Sequence, residues 1–159
     1  MTAFQCQPIP TETADRFRAS GIDDNGNVLR RMPANAPTGF PCRHCLQFAK
    51  PGDVMLLGSY NLPRPRGIYW TPSPIFVHEA SCPRFDAANT IGPIIAEGLL
   101  VSVRAYDAND QCIYDLGQVC AGPDVAAPLD RALADPRTDF VNVHTAKPGC
   151  MLSRVERLA

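Results

Sequence analysis

Apolar and polar positions alternate from Phe4 to Ile9, the period-2 pattern of a half-buried strand. Thr11, just after Pro10, is placed to cap a helix running to Ser20. Glu12 and Asp15 suit the first turn of that helix, and Gly21 suits its end. Asp23-Asp24-Asn25-Gly26 reads as a turn leading into a strand over Val28–Met32. Lys50-Pro51-Gly52-Asp53 is a second turn, before an apolar strand over Val54–Tyr60. Residues 61–73 carry Pro63, Pro65 and Pro72 and predict a long surface loop, and a short buried strand follows over Ile75–His78. Asp107-Ala108-Asn109-Asp110 predicts a hairpin between strands Leu99–Tyr106 and Gln111–Val119. Val125, Leu129, Ala132 and Leu133 fall at helical spacing, so a helix is expected over Asp124–Asp135 with Pro128 in its first turn. Two last strands, Phe140–Thr145 and Met151–Leu158, flank Lys147-Pro148-Gly149.

Strands outnumber helices and their links are short. The expectation is an α+β fold, mainly an antiparallel sheet with two or three helices packed on it. The 159 residues fit a single domain over residues 1–159, with 45% apolar side chains to build its core. The 16 prolines are spread along the chain and favour many short elements over one linker.

Charge narrows the function classes. The net charge of −1, from 15 basic and 16 acidic side chains, argues against a general electrostatic attraction to nucleic acid. Residues 1–80 carry 8 basic side chains against 6 acidic ones, and Arg30, Arg31, Arg43, Arg64 and Arg66 supply the excess. No apolar run reaches membrane-spanning length; the nearest, Ile91 to Val103, is broken by Gly92, Pro93, Glu97 and Gly98. The first residues hold Gln5, Gln7 and Glu12 where an export signal needs an apolar stretch. A cytoplasmic location follows as the expectation, with the seven cysteines as reduced thiols or metal ligands.

One constellation carries chemistry. Cys42-x2-Cys45 in a tight turn over Pro41–Leu46 is followed by His78-x3-Cys82 at the end of a strand. Three thiolates and an imidazole in a two-plus-two pattern suit a tetrahedral zinc ion. The four-residue step from His78 to Cys82 would place both on one face of a helical turn. A site closed by four protein ligands is structural, not hydrolytic. Two readings compete with zinc. The four side chains could be ordinary core residues, or Cys42 and Cys45 could form a thiol redox sensor.

Further candidates are scattered. His44, between the two cysteines, reads as a surface residue, with a supporting role beside a metal or a general-base role as alternatives. His144 and Cys150 flank the last turn and could pair as base and nucleophile in an enzyme of unknown reaction, with Arg154 nearby to hold an anion. Tyr69 and Trp70, beside Arg64 and Arg66, could stack on or hold a ligand, although a packed loop anchor is the simpler reading. Arg43, Arg64, Arg66 and Arg154 are thus the candidate contacts for a small anionic ligand or a protein partner. Cys6, Cys112 and Cys120 lie on predicted strands and read as core.

The spacing from Cys42 to Cys82 resembles treble-clef zinc fingers of the LIM and PARP types, which usually carry His-x2-Cys at the second pair. Pro41-Cys42-Arg43-His44-Cys45-Leu46, Pro74-Ile75-Phe76-Val77-His78 with Cys82, and Arg104-Ala105-Tyr106-Asp107 resemble the bacterial domain-of-unknown-function family 1203. Val141 to Cys150 and Arg154-Val155-Glu156-Arg157 are similar to that family's closing segment, and Gly149 departs from the polar residue expected there. The resemblance implies one domain and brings no activity, substrate or partner. The ligand spacing and the lack of a recognisable catalytic set point instead to a small zinc-stabilised binding or regulatory module, with an enzyme of unknown reaction or a thiol redox sensor as the alternatives.

Overall fold

Two antiparallel sheets, each with its own buried cluster, make up the body of the protein in a computed structural model that describes all 159 residues. In chain order the elements are β1 (Phe4–Gln7), α1 (Thr11–Ser20), β2 (Arg30–Pro33), β3 (Val54–Asn61), β4 (Pro72–His78) and α2 (Pro93–Ala96). They continue with β5 (Val101–Tyr106), β6 (Gln118–Cys120), α3 (Ala126–Ala134), β7 (Phe140–Thr145) and β8 (Met151–Arg157). The larger sheet has the order β1-β8-β7-β5-β6 and the smaller one β2-β3-β4. The α+β class is borne out, but the strands divide between two sheets where the sequence suggested one.

The division follows from which faces can be buried together. Helix α3 turns Leu129, Ala132 and Leu133 onto the larger sheet, where Val103, Val141, Val143 and Val155 are fully buried. Helix α1 buries Ala14 and Phe17 in a second cluster with Met55, Ile75 and Val77 of the smaller sheet. Gly21 ends α1 at φ 66, donating its N–H to Phe17 O, as the sequence predicts. Residue Thr11 does not cap the helix, because its hydroxyl is engaged elsewhere.

Two other expectations are corrected. Gln111–Val119 is not one strand: Tyr114–Leu116 forms a 3-10 turn, Gln118–Cys120 pairs with β5 as a strand, and Cys112 makes a single bridge to Tyr106. Consequently Cys112 and Cys120 are half-buried, while Cys6 is in the core as expected. The predicted loop after β3 is shorter than residues 61–73, since Pro72 and Ser73 already pair with Asn61 and Tyr60.

Asp23 ties the turn after α1 to the smaller sheet. It accepts the N–H groups of Ser59 (2.7 Å), Asn25 (2.9 Å) and Asn27 (2.9 Å). Burial opposes its charge, but these donors outweigh it and hold the carboxyl down at about 2. Replacing Asp23 with alanine strands those donors and is expected to cost about 2–3 kcal/mol in denaturant unfolding. Because the folded pKa is depressed, this contribution is present above the unfolded value near ~3.9 and is lost as pH falls through about 2.

Candidate metal centre

The turn over Pro41–Leu46 closes tightly. Leu46 donates its N–H to Cys42 O, Cys42 to Gln47 O, and Arg43 to Phe76 O of β4. Leu46 adopts φ 55, a conformation that a bulky residue tolerates only when its surroundings impose it. Those surroundings are the larger core, in which Leu46 is fully buried, while Cys42 and Cys45 face the smaller one. The turn is thus pinned between the two clusters, with both thiols on the same side.

Strand β4 delivers His78 at its last residue, opposite Met55. Cys82 arrives differently from the expectation. No helical turn follows β4; residues 79–88 are irregular. Pro83 explains this, because the residue before a proline is pushed out of the helical region. The segment is held back onto the turn by Phe85, whose N–H donates to His44 O at 3.0 Å.

The four candidate ligands converge. One atom each from Cys42, Cys45, His78 and Cys82 lies within 4.8 Å of all the others. Cys42 Sγ and Cys82 Sγ are 3.9 Å apart, and Cys45 Sγ lies 3.6 Å from His78 Nδ1. A tetrahedral zinc ion with Zn–S near ~2.3 Å and Zn–N near ~2.0–2.1 Å requires S···S edges of about 3.8 Å and S···N edges of about 3.6 Å. These two separations match those edges, and 3.9 Å between Cys42 Sγ and Cys82 Sγ excludes an S–S bond there, which needs about 2.05 Å. All seven cysteines are free thiols.

A surrounding shell aims these ligands. His78 presents Nδ1 to the cluster and Nε2 to Asp53 Oδ2 at 3.4 Å, an arrangement that orients a ligating imidazole. His44 is buried, correcting the surface expectation. Its Nδ1 is 3.2 Å from Cys82 Sγ and its Nε2 is 2.9 Å from Thr11 Oγ1. In the tautomer with its proton on Nδ1, the ring donates to the Cys82 sulfur and accepts the Thr11 O–H at Nε2. Arg18 donates Nε–H to His78 O at 2.9 Å and Nη2–H to Cys82 Sγ at 3.4 Å. Two donors therefore face the Cys82 sulfur, as a thiolate ligand needs. Sequence reasoning missed Thr11, Arg18 and Asp53 in this role. The available signal was faint: Thr11 and Arg18 are seven apart and so share one face of α1.

The packed ligands shape one another's protonation. Hydrogen bonds from Cys45 and Cys82 favour the Cys42 thiolate and push its pKa far down, while the same contacts push the Cys45 thiol up. The neighbouring Cys42 and Cys82 sulfurs raise His78 to about 10, so without an ion the imidazole is cationic at neutral pH.

The remaining candidates do not join this cluster. Arg43 is buried, donating Nε–H to Met151 O and Nη1–H to Pro41 O, both at 2.7 Å. Arg64 pairs with Asp110 and Asp139 and lies 4.0 Å over the Phe140 ring. Arg66 also reaches Asp110, and Arg154 pairs with Glu156 at 2.6 Å. Trp70 donates its indole N–H to Leu62 O, and the Tyr69 and Tyr114 hydroxyls meet at 2.6 Å, so the loop is anchored as its simpler reading expected. His144 is buried and donates Nδ1–H to Gly149 O at 2.8 Å; burial and the nearby Arg104 push it down to about 4. No hydrogen bond joins it to Cys150. Gly149 stands at φ 79, a backbone that explains glycine there instead of a polar residue.

The family described as "Protein of unknown function (DUF1203)" matches residues 39–157, and the chain belongs to that family. No curated protein and no solved structure gives a significant match.

Proposed function

We propose that in this member of the family Cys42, Cys45, His78 and Cys82 hold one structural zinc ion, and that the chain serves as a small binding or regulatory module. The observation that carries the metal reading is the convergence of four soft or borderline donor atoms within 4.8 Å. Three thiolates and one imidazole form a closed tetrahedral set, the composition of structural zinc sites, with no position left for a reacting water. The ion would join the turn after β2, the end of β4 and the irregular segment that follows it, of which only the end of β4 lies in a regular element.

No helix is long and apolar enough to cross a membrane. We assign the protein to the bacterial cytoplasm, where thiols stay reduced and available to a metal. The partner we propose is a small anionic ligand, because Arg43 is a buried cation without a carboxylate to face it.

Cobalt(II) substitution tests the metal reading. Protein loaded with cobalt is expected to show the strong visible absorption of a tetrahedral, sulfur-ligated ion, and Cys45→Ser should weaken it. The weak spectrum of an octahedral, oxygen-ligated ion would argue against the site.

A further inference from the structure

A cavity of about 480 Å³ opens between the two sheets and is lined by Pro41 and Arg43 of the Pro41–Leu46 turn, but by none of the four proposed metal ligands. Its size falls within the roughly 300–1,000 Å³ of small-molecule sites. Phe48, Phe76, Val101 and Leu152 wall it, and the exposed Leu99 and Leu100 extend its apolar surface outward. Lys147 and Glu97, both exposed, stand at the rim with opposite charges. Inside this otherwise greasy lining is one permanent cation, Arg43, only 3% exposed.

Arg43 is unusual in what it lacks. Its Nε and Nη1 donate to the carbonyls of Met151 and Pro41, which fix the plane of the guanidinium. Those carbonyls carry no net charge, and no carboxylate pairs with the side chain. Nη2 has no hydrogen-bond partner in the protein. A buried charge is costly unless an opposite charge meets it, and a guanidinium is not relieved by losing its proton. Arg64 and Arg137, by contrast, each face two carboxylates. The neighbouring groups of opposite sign are the sulfurs of Cys42, which belongs to the four-residue cluster, and Cys150; no carboxylate of the chain reaches the cation in the cavity.

We propose that this cavity binds a small amphipathic carboxylic acid, with its carboxylate on Arg43 and its apolar tail along Phe48, Phe76 and Leu152 toward Leu100. The carboxylate supplies the missing charge and accepts from Nη2; the tail replaces water against the apolar walls. An inorganic anion would match the charge but leave those walls wet. A neutral alcohol would fill the walls but leave the charge unmet. The inference rests on the binding-module reading but not on zinc, and zinc content measured on the same samples separates the two.

Titration calorimetry on the full chain, with sodium decanoate below its micelle concentration, is the test. Saturable binding near one equivalent is expected, with decan-1-ol weaker by at least about tenfold and acetate giving no heat. Decanoate should also protect Cys150, which lines the same cavity, from alkylation, as read by peptide mass spectrometry. Leu100→Glu places a repelling carboxylate at the half-exposed mouth without disturbing the core and should weaken decanoate by about tenfold or more. Arg43→Met, if circular dichroism shows it folded, should remove the preference for decanoate over decanol. Equal affinity for acid and alcohol in the natural protein, absence of saturable decanoate binding, or an unchanged affinity in Leu100→Glu would each overturn the proposal.

Discussion

Cys42→Ser is expected to release the metal and to lower the melting temperature by roughly 10–20 °C, the largest effect of any single substitution considered. Cys42 is fully buried at the junction of the turn and β4, so the substitution removes a ligand where no water can replace it. Structural zinc contributes about 10–16 kcal/mol of apparent binding energy in finger peptides. Part of that is dispensable here, because the larger sheet has a separate buried cluster. A loss of about 5 kcal/mol corresponds to the expected shift at roughly 2–4 °C per kcal/mol for a chain of this size. Cys6 supplies the control. It is as buried as Cys42, but it lies in the larger core and its thiol faces Thr90 O. Cys6→Ser should move the melting temperature by only a few degrees and leave metal content intact. Equal shifts in the two variants would mean that Cys42 is ordinary core.

The second large effect is on pH dependence. Zinc binds thiolates and neutral imidazole, so every proton these four side chains hold in metal-free protein must leave. The contacts with Cys45 and Cys82 push the Cys42 thiol down, toward thiolate. Contacts with Cys42 and Cys82 push the Cys45 thiol up, toward its protonated form, and His78 is raised to about 10. At least two protons are therefore released on binding near neutral pH. Apparent zinc affinity should rise by about 100-fold or more per pH unit between pH 6 and 8, as measured by competition with a chromophoric chelator. In metal-free protein the sign for His78 reverses. Its folded pKa is raised, so its contribution to stability is present below the unfolded value of ~6.5 and lost as pH rises through about 10. A zinc affinity that is flat with pH would contradict this protonation pattern.

Much of the local structure was legible because its determinants are local. Gly21 ended α1, the apolar stripe of α3 faced the larger core, and Lys147-Pro148-Gly149 turned β7 into β8. The division into two sheets was not legible, since β1 pairs with β8 across almost the whole chain and no short window encodes that. The four-residue cluster was visible from spacing alone. Its geometry was misread at Cys82, where Pro83 already forbade the helical turn. His44 looked like a surface residue because it is polar and lies between two cysteines. What buries it is Thr11, 33 residues earlier, together with the Cys82 thiol, and neither contact can be read without the fold. Arg43 posed the same difficulty: a cationic side chain reads as exposed until the carbonyls of Met151 and Pro41 are seen to enclose it.

Elemental analysis of freshly purified protein, set against protein concentration, bears most directly on the Cys42–Cys45–His78–Cys82 centre. About one zinc per chain is expected, with the ion gone from Cys42→Ser and retained in Cys6→Ser. Less than about a tenth of an equivalent, in protein that stays folded and whose melting temperature a strong chelator does not change, would contradict it.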